Sequence, residues 1–329
     1  MDLFQLMEDH DCGRVFAFGQ PRAGLRAFLV LDDTSLGPAV GGTRTWHYPS
    51  EKHALLDAIR LARAMTLKCS LAGLDAGGGK LVVMDNPGLD RELAFTLLGQ
   101  ELAPLPFHTA GDMGTLRTDL QQMASAGATV QLDDEVLSLA TAQGVMACAR
   151  ACAERMGREL GQLHVAVQGT GSIGAAVARS FSAAGCRVTV ADTDPHRARR
   201  VADEFGGQMV PAHELFTVPC DLVAPCADGG AITAKAASDL RAQAICGAAN
   251  NELANDGAAE VLARRGVLHV PSLISSAGAV IRGVSGDNAL IWALGETAGG
   301  VLDEASDTGR PASEIAEERA WERIELTRG

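Results

Sequence analysis

Leu163-His164-Val165-Ala166-Val167-Gln168-Gly169-Thr170-Gly171-Ser172-Ile173-Gly174 is the stretch that sets the fold of the second half of the chain. A short apolar strand runs into glycines spaced GxGxxG, and Ile173 to Ala184 reads as a helix. In a chain with 37 glycines among 329 residues the bare spacing carries little weight, so the flanking elements decide. They supply a strand before the glycines, a helix after them, and a second strand ending at Asp192, 18 residues past Gly174. Each part has a task in a dinucleotide site built from Gly169, Thr170, Gly171, Ser172, Ile173 and Gly174. The first glycine permits a tight turn, the second lets a pyrophosphate approach the backbone, and the third lets helix and strand pack closely. The helix N-terminus then attracts the anion. Asp192 is placed to accept hydrogen bonds from the adenosine ribose, and its charge repels a 2′-phosphate, so NAD is expected over NADP. Arg197, Arg199 and Arg200 lie nearby and weaken that preference.

Working outward, short apolar strands at Val165–Val167, Val188–Val190, Leu222–Ala224 and Ala244–Cys246 alternate with Ala-rich helical stretches. That rhythm predicts βαβ units and an α/β, doubly wound parallel sheet. The first ~130 residues are different, a mixture of strands (Arg14 to Phe18, Arg26 to Asp32) and helices. Ser50 caps a helix whose Ala54, Leu55, Ala58, Leu61, Ala62 and Met65 share a face, and Leu81 to Met84 reads as a short buried strand. Two more helices are expected at Asn288 to Glu304 and Ser313 to Thr327, joined by an acidic, Pro-containing linker around Asp307 to Pro311. The expected division is therefore residues 1–130, 131–287, and a helical tail over 288–329 that packs back on the domains.

Composition narrows the function classes. A formal net charge of −13 leaves nothing to neutralise phosphates, which disfavours nucleic acid. No window reads as ~18 apolar residues without charge, and the uncharged stretch Gly266 to Ile281 is broken by His269, Pro271 and three serines, so no membrane span is expected. The first nine residues are acidic where an export signal is basic, which points to the cytoplasm. Eight cysteines are scattered without CxxC pairs or His-rich spacing, so no metal is expected and Cys148 and Cys152 read as reduced core residues.

The first half holds two Lys-bearing stretches, Met65-Thr66-Leu67-Lys68 and Gly77-Gly78-Gly79-Lys80, and the loop Thr109 to Thr115 containing Asp112. Singly each has a plain explanation as a solvated end or a turn. Three glycines before Lys80 tilt this, because they let backbone lie close to a ligand and draw the lysine into a partly dry cleft. Burial beside a second cation lowers an ammonium pKa, so one of two neighbouring lysines becomes a neutral base, and a carboxylate completes a proton relay.

With these motifs stand Gly37-Pro38-Ala39-Val40-Gly41-Gly42-Thr43-Arg44-Thr45-Trp46, Ala224-Pro225-Cys226-Ala227 and Gly247-Ala248-Ala249-Asn250-Asn251. Together, in this order from Met1-Asp2-Leu3-Phe4 nearly to the C-terminus, they resemble the glutamate, leucine, phenylalanine and valine dehydrogenases, most closely the leucine and phenylalanine branch. The resemblance implies a substrate and oligomerisation domain first, a Rossmann-type cofactor domain second, and an active site in the cleft between them. It implies an NAD-dependent oxidoreductase that reversibly deaminates an L-amino acid to a 2-oxo acid and ammonia, working as a dimer or octamer. On this resemblance Lys68 holds the substrate carboxylate, Lys80 is the general base that activates water, and Asp112 exchanges protons with the leaving amine. Asn250 and Thr141 would lie near the nicotinamide, and Ala227 with the glycine loop would contact the cofactor. Gly41 and Gly42 would border the substrate, and Val40, Ala110, Val280 and Gly283 would line its side-chain pocket.

Three departures from the family pattern bear on substrate choice. The family's usual Ile-Asn-Ala-Gly-Gly is here Ser275-Ser276-Ala277-Gly278-Ala279, a Ser, Gly, Asn and Pro-rich loop before Thr141 is shortened to Asp133 to Ser138, and Arg282 replaces a small or neutral residue. The four pocket positions are apolar or small, so a branched-chain or aromatic amino acid is expected, and glutamate finds a cation only if Arg282 turns inward. A methylene-sized difference in such a pocket is worth ~1–3 kcal/mol, which leaves branched and aromatic substrates both open. Two alternatives remain: a biosynthetic dehydrogenase dedicated to one pathway with an altered, coupled reaction, and an NAD-binding regulator without turnover.

Overall fold

The computed structural model describes residues 2–227 and 229–328, so Met1, where the family resemblance begins, lies outside the described residues. The chain divides into two compact units, one formed by residues 1–134 with 321–329 and the other by 135–320.

In the first unit, α1 (Leu3–Asp9) precedes an antiparallel pair, β1 (Arg14–Gln20) and β2 (Leu25–Leu31). There follow β3 (Ala39–Trp46), α2 (Glu51–Leu71), β4 (Gly77–Met84), α3 (Arg91–Leu102), β5 (Phe107–Gly111), α4 (Arg117–Ser125) and β6 (Thr129–Val130). The sheet order is β1-β2-β4-β3-β5-β6, with β3 parallel to both β4 and β5. Val30, Val82 and Met84 meet the buried stripe Ala54, Leu55, Ala58, Ile59 and Ala62 of α2, while Leu29, Leu81 and Phe107 meet α3 residues on the other face. Ser50 caps α2, its hydroxyl accepting from the His53 backbone N–H.

One expectation needs correction here. The glycines at 77–79 belong to β4, which is longer than the strand read at Leu81 to Met84 and is buried throughout. Their strand position follows from close packing: a Cβ on Gly78 would collide with the backbone N and hydroxyl of Thr66 on α2. Glycine is generally depleted in strands, which hid this one.

The second unit opens with α5 (Asp134–Arg155), then β7 (His164–Gln168), α6 (Ser172–Ala183), β8 (Arg187–Ala191), α7 (Pro195–Asp203) and β9 (Gln208–Met209). The chain continues through β10 (Leu222–Pro225), α8 (Ala234–Asp239), β11 (Ala244–Ile245), α9 (Asp256–Arg264) and β12 (Leu268–His269). It closes with α10 (Ser272–Ser275), α11 (Gly278–Val284), α12 (Asn288–Thr308) and α13 (Ala312–Arg328). The wholly parallel sheet has the order β12-β11-β10-β7-β8-β9, so β8 and β9 build outward on one side of β7 and β10, β11 and β12 on the other. The order reverses between β7 and β10, where such folds bind their ligand.

Three further differences from the sequence reading are local. Residues from Asp134 to Ser138, read as a shortened loop, form the first turn and more of α5. The acidic linker read at Asp307 to Pro311 shrinks, because α12 runs to Thr308 and stops at left-handed Gly309 (φ 70°). Finally, α5 is long and apolar enough by length and composition to cross a membrane, although Arg150 breaks any uncharged run of that length, and 67% of its most apolar window is buried in the fold, as in the core helix of a soluble domain. Cys148 and Cys152 are buried on this helix, and all eight cysteines are free thiols.

The last residues of α13 are counted with the first unit, and they close the end of α2. Arg323 donates to the carbonyls of Ser70 and Leu74 (3.4 and 2.8 Å) and bonds Asp75. Trp321 lies under the Arg63 guanidinium at 4.9 Å, and Arg328 bonds Asp33.

Candidate active site

Alternation along the strands puts Val40, Gly42 and Arg44 of β3 on one face. The register sets Gly42 opposite Ala110 of β5, and the offset Thr43↔Leu81 sets it beside Lys80 of β4. Asp112, just past β5, completes the group. Its Oδ2 accepts from Lys80 Nζ at 2.7 Å and from Arg44 Nε at 2.8 Å. Arg44 Nη1 continues to Asp57 Oδ2 of α2 (3.0 Å), which also accepts from the Tyr48 hydroxyl (2.7 Å), while Asp57 Oδ1 accepts from Arg60 (2.8 Å). The loop bearing Asp112 is pinned to β3: Thr115 Oγ1 donates to the Thr43 carbonyl (2.7 Å), and Thr45 N–H donates to Met113 O (3.0 Å). Lys68, in the last turn of α2, is also buried, and Met65 one turn before it approaches Gly41.

Burial pushes the Lys80 ammonium below its usual range, a shift that Asp112 opposes. Burial alone would raise the Asp112 carboxyl, but the Lys80 and Arg44 cations outweigh it and hold the group at about 2. The site therefore contains a fixed carboxylate and an ammonium whose proton is held mainly by that carboxylate.

Space for this pair depends on Gly42. A Cβ there would stand 2.9 Å from Lys80 Nζ and 3.0 Å from Asp112 Cβ. Gly42→Ala is expected to push the pair apart and lower kcat/KM by about 10- to 100-fold, since ångström-scale misplacement of reacting groups has costs of that order. Steady-state kinetics checks this against the unfolding midpoint, which should move little by comparison.

In the second unit the glycine loop leaves β7 at the point where the strand order reverses. Gly169 is left-handed (φ +85°), and its missing side chain leaves room for Ala227, whose Cβ a Gly169 Cβ would meet at 2.9 Å. Gly174 is forced by the Gly169 carbonyl, which a Cβ would strike. A Cβ on Gly171 would meet no protein atom within 4 Å, so the fold itself does not require glycine there. The N-terminus of α6 (Ser172, Ile173) has no side-chain cap on its N–H groups. Asp192 Oδ2 accepts from the backbone N–H and hydroxyl of Thr170 (2.7 and 2.9 Å), tying the loop to the end of β8. These hydrogen bonds and those from Asp194 outweigh burial and lower the Asp192 pKa, and Arg197 approaches to 3.8 Å.

Around the β10 and β11 ends, Gly247 packs on Pro225, and Ser275 Oγ donates to the Gly247 carbonyl (2.6 Å). Ser276 Oγ donates to Ser272 O (2.6 Å) and lies 3.5 Å from Asn250 Oδ1. Thr141 on α5 lies under α11, where a Gly278 Cβ would meet its Cα at 3.0 Å. Val280 and Gly283 are on α11, and the Arg282 guanidinium is used at that helix's end, bonded to Gly286 O (3.1 Å) and Asn288 Oδ1.

Several contributors escaped the sequence reading. Arg44, Asp57 and Tyr48 were given no role because their contacts bridge separate elements. Glu252 and His269 form a buried pair (2.7 Å), and Glu252 also accepts from Ser272 N–H, which fixes the turn after Asn250. Gln168, at the C-terminal end of β7, has a buried Oε1 with no partner. Among the described residues there is no group of three or more His, Cys, Asp or Glu that could hold a metal.

Comparison with known proteins places the chain in a family. Residues 19–127 match the model of the Glu/Leu/Phe/Val dehydrogenase dimerisation domain, and 194–286 match that of glutamate/leucine/phenylalanine/valine dehydrogenase. Leucine dehydrogenase of Geobacillus stearothermophilus is 36% identical over 85% of this chain and 80% of its own length. The chain belongs to the Glu/Leu/Phe/Val dehydrogenase family. As a member it is an amino-acid dehydrogenase, an oxidoreductase acting on amino acids. Phenylalanine dehydrogenase of Caldalkalibacillus thermarum is 34% identical, covering 98% of this chain and 94% of that one. The crystal structure of L-tryptophan dehydrogenase from Nostoc punctiforme superposes with a TM-score of 0.85 at 28% identity, covering 99% of this chain and 100% of that chain. Residues 137–228 also match the NAD-binding domain model of D-isomer-specific 2-hydroxyacid dehydrogenases.

Proposed function

We propose that this dehydrogenase uses NAD to deaminate an apolar L-amino acid, branched-chain or aromatic, reversibly to its 2-oxo acid and ammonia. The observation that carries this reading is the pair of buried Lys80 and partly buried Asp112 beside Gly42, on the unit that also bears Lys68. Lys80, relieved of its proton, activates water for attack on the imine carbon of the oxidised substrate, from which ammonia then leaves; Asp112 passes protons to and from that amine; Lys68 binds the α-carboxylate as a point charge.

The residues of the second unit fit a dinucleotide. Gly171 leaves open space at an uncapped helix N-terminus, Asp192 is ionised at the end of β8, and Gln168 brings an unpartnered acceptor to the switch point. Gly169 to Gly174 would hold the pyrophosphate, Asp192 the adenosine ribose, and Ala227, Asn250 and Thr141 the nicotinamide end. When bound, NAD supplies the hydride acceptor. Val40 and Ala110 in the first unit and Val280 and Gly283 in the second are apolar or small, and Arg282 spends Nη1 and Nη2 at the end of α11 while its Nε is buried without a partner, which favours an apolar substrate over glutamate. The protein is read as a cytoplasmic homo-oligomer, a dimer or octamer.

The test is NAD reduction across a panel of L-amino acids, with NADH oxidation by 2-oxo acids plus ammonia as the reverse assay. Turnover with branched or aromatic members is expected; silence in both directions overturns the reading. A second reading, a pathway-dedicated biosynthetic enzyme, is favoured by Ser276, whose hydroxyl is turned into its own helix where the family usually has an amide. Mass spectrometry of the products separates the two, because simple deamination yields only the 2-oxo acid.

A further inference from the structure

Asp112 Oδ2 serves two cations, Lys80 from β4 at 2.7 Å and Arg44 from β3 at 2.8 Å. The two differ in kind. A guanidinium keeps its charge at every working pH, whereas a buried ammonium gives up its proton readily. The geometry points to Arg44 as a positioning residue for the proposed reaction: by occupying Asp112 Oδ2 from the β3 side, it weakens that carboxylate's hold on the Lys80 proton and so sets how easily Lys80 becomes the neutral base. This rests on the reading of Lys80 as the base.

The surroundings are arranged for such a balance. Burial and the Arg44 charge push the Lys80 ammonium down, while Asp112 and Asp57 push it up. Asp57 holds the far end of the guanidinium and is itself fixed by Tyr48 and Arg60. The other charged or titratable groups packed around this site are Lys68 at the end of α2, Asp32 after β2, which is bonded to Arg63 and Thr66, His108 of β5, which shares the Ala110 face, and His47 and His53, which line one cavity with Arg44 and Asp57. Arg44 is thus the permanent cation on the acid that shares the Lys80 proton, and Asp57 is its counterweight.

The sequence makes the test direct, because its lysines are only Lys52, Lys68, Lys80 and Lys235. In the full chain labelled with ¹³C at lysine Cε, Lys80 is assigned by loss of its signal in Lys80→Arg and titrated by NMR. Arg44→Gln is expected to raise the Lys80 midpoint by about one pH unit or more, since a nearby unit charge moves a buried pKa by that order. The acid limb of the kcat/KM profile should move up with it, about tenfold in rate per unit at pH values below the midpoint. Arg44→Lys, which keeps the charge, should stay within about half a unit of the wild type. Asp57→Asn should move both readouts in the opposite direction. A tie that only joins β3 to α2 predicts something else: a lower unfolding midpoint in both Arg44→Gln and Asp57→Asn with the Lys80 titration unmoved, and that result overturns the inference. If Arg44→Gln does not fold, Asp57→Asn decides alone, a downward shift supporting the inference and no shift overturning it. A wild type inert towards amino acids whose Lys80 midpoint still responds to Arg44 would overturn the proposed reaction while leaving the charge coupling standing.

Discussion

Lys80→Ala is expected to lower kcat/KM for amino-acid oxidation by about 10³- to 10⁴-fold, the upper range of what a positioned general base contributes. The fold should survive. Removing a buried ammonium also removes the cost of burying it, and Asp112 keeps Arg44 as a partner at 2.8 Å. Without Lys80 the Asp112 carboxyl rises from about 2, yet Arg44 keeps it ionised at neutral pH. NAD affinity, read by calorimetry, should stay within about twofold, because the glycine loop lies on the other unit and the loss is confined to catalysis. Lys80→Arg should not rescue turnover, since a guanidinium cannot become neutral. In the wild type, kcat/KM for deamination should rise with pH as Lys80 loses its proton, while Asp112 stays charged throughout. Activity of Lys80→Ala within tenfold of the wild type would remove Lys80 from the chemistry, and an inert wild type with intact NAD binding would instead favour a regulator.

Gly174→Ala should weaken NAD binding by about 100-fold or more and destabilise the second unit by about 2–3 kcal/mol, because overpacking against fixed backbone costs on that order. The added Cβ would run into the Gly169 carbonyl and stand 3.2 Å from Cys226 Cβ, so the loop must open to admit it. Gly171→Ala provides the contrast. No protein atom lies within 4 Å of its Cβ, so the unfolding midpoint should stay put while NAD binding still weakens. If both variants lost stability equally, or Gly171→Ala bound NAD as well as the wild type, the assignment of Gly171 to the pyrophosphate would fall.

The parts of this fold that the sequence announces are those whose physics is local. A strand, a glycine turn and a helix stand consecutively in Leu163 to Ala184, so the dinucleotide loop can be read directly, as can the Ser50 cap and the buried stripe of α2. The chemistry of the first unit is not local. Lys80 and Asp112 were singled out by residue type and by family resemblance, but their meeting on one face depends on the β4-β3-β5 register. Arg44 and Asp112 are 68 residues apart, and nothing in the spacing joins them. The glycines of β4 were misplaced for a related reason: the helix that demands their small size is a separate element, so its pressure does not show in the run itself.

The return of residues 321–329 to the first unit sets an order on biosynthesis. The carbonyls of Ser70 and Leu74, in and just past the last turn of α2, gain their Arg323 donor only when synthesis has reached residue 323. A nascent chain can therefore complete the glycine-loop half while the half bearing Lys80 and Asp112 still lacks its closing piece. Truncation that removes Arg323 would injure the N-terminal half of the molecule first.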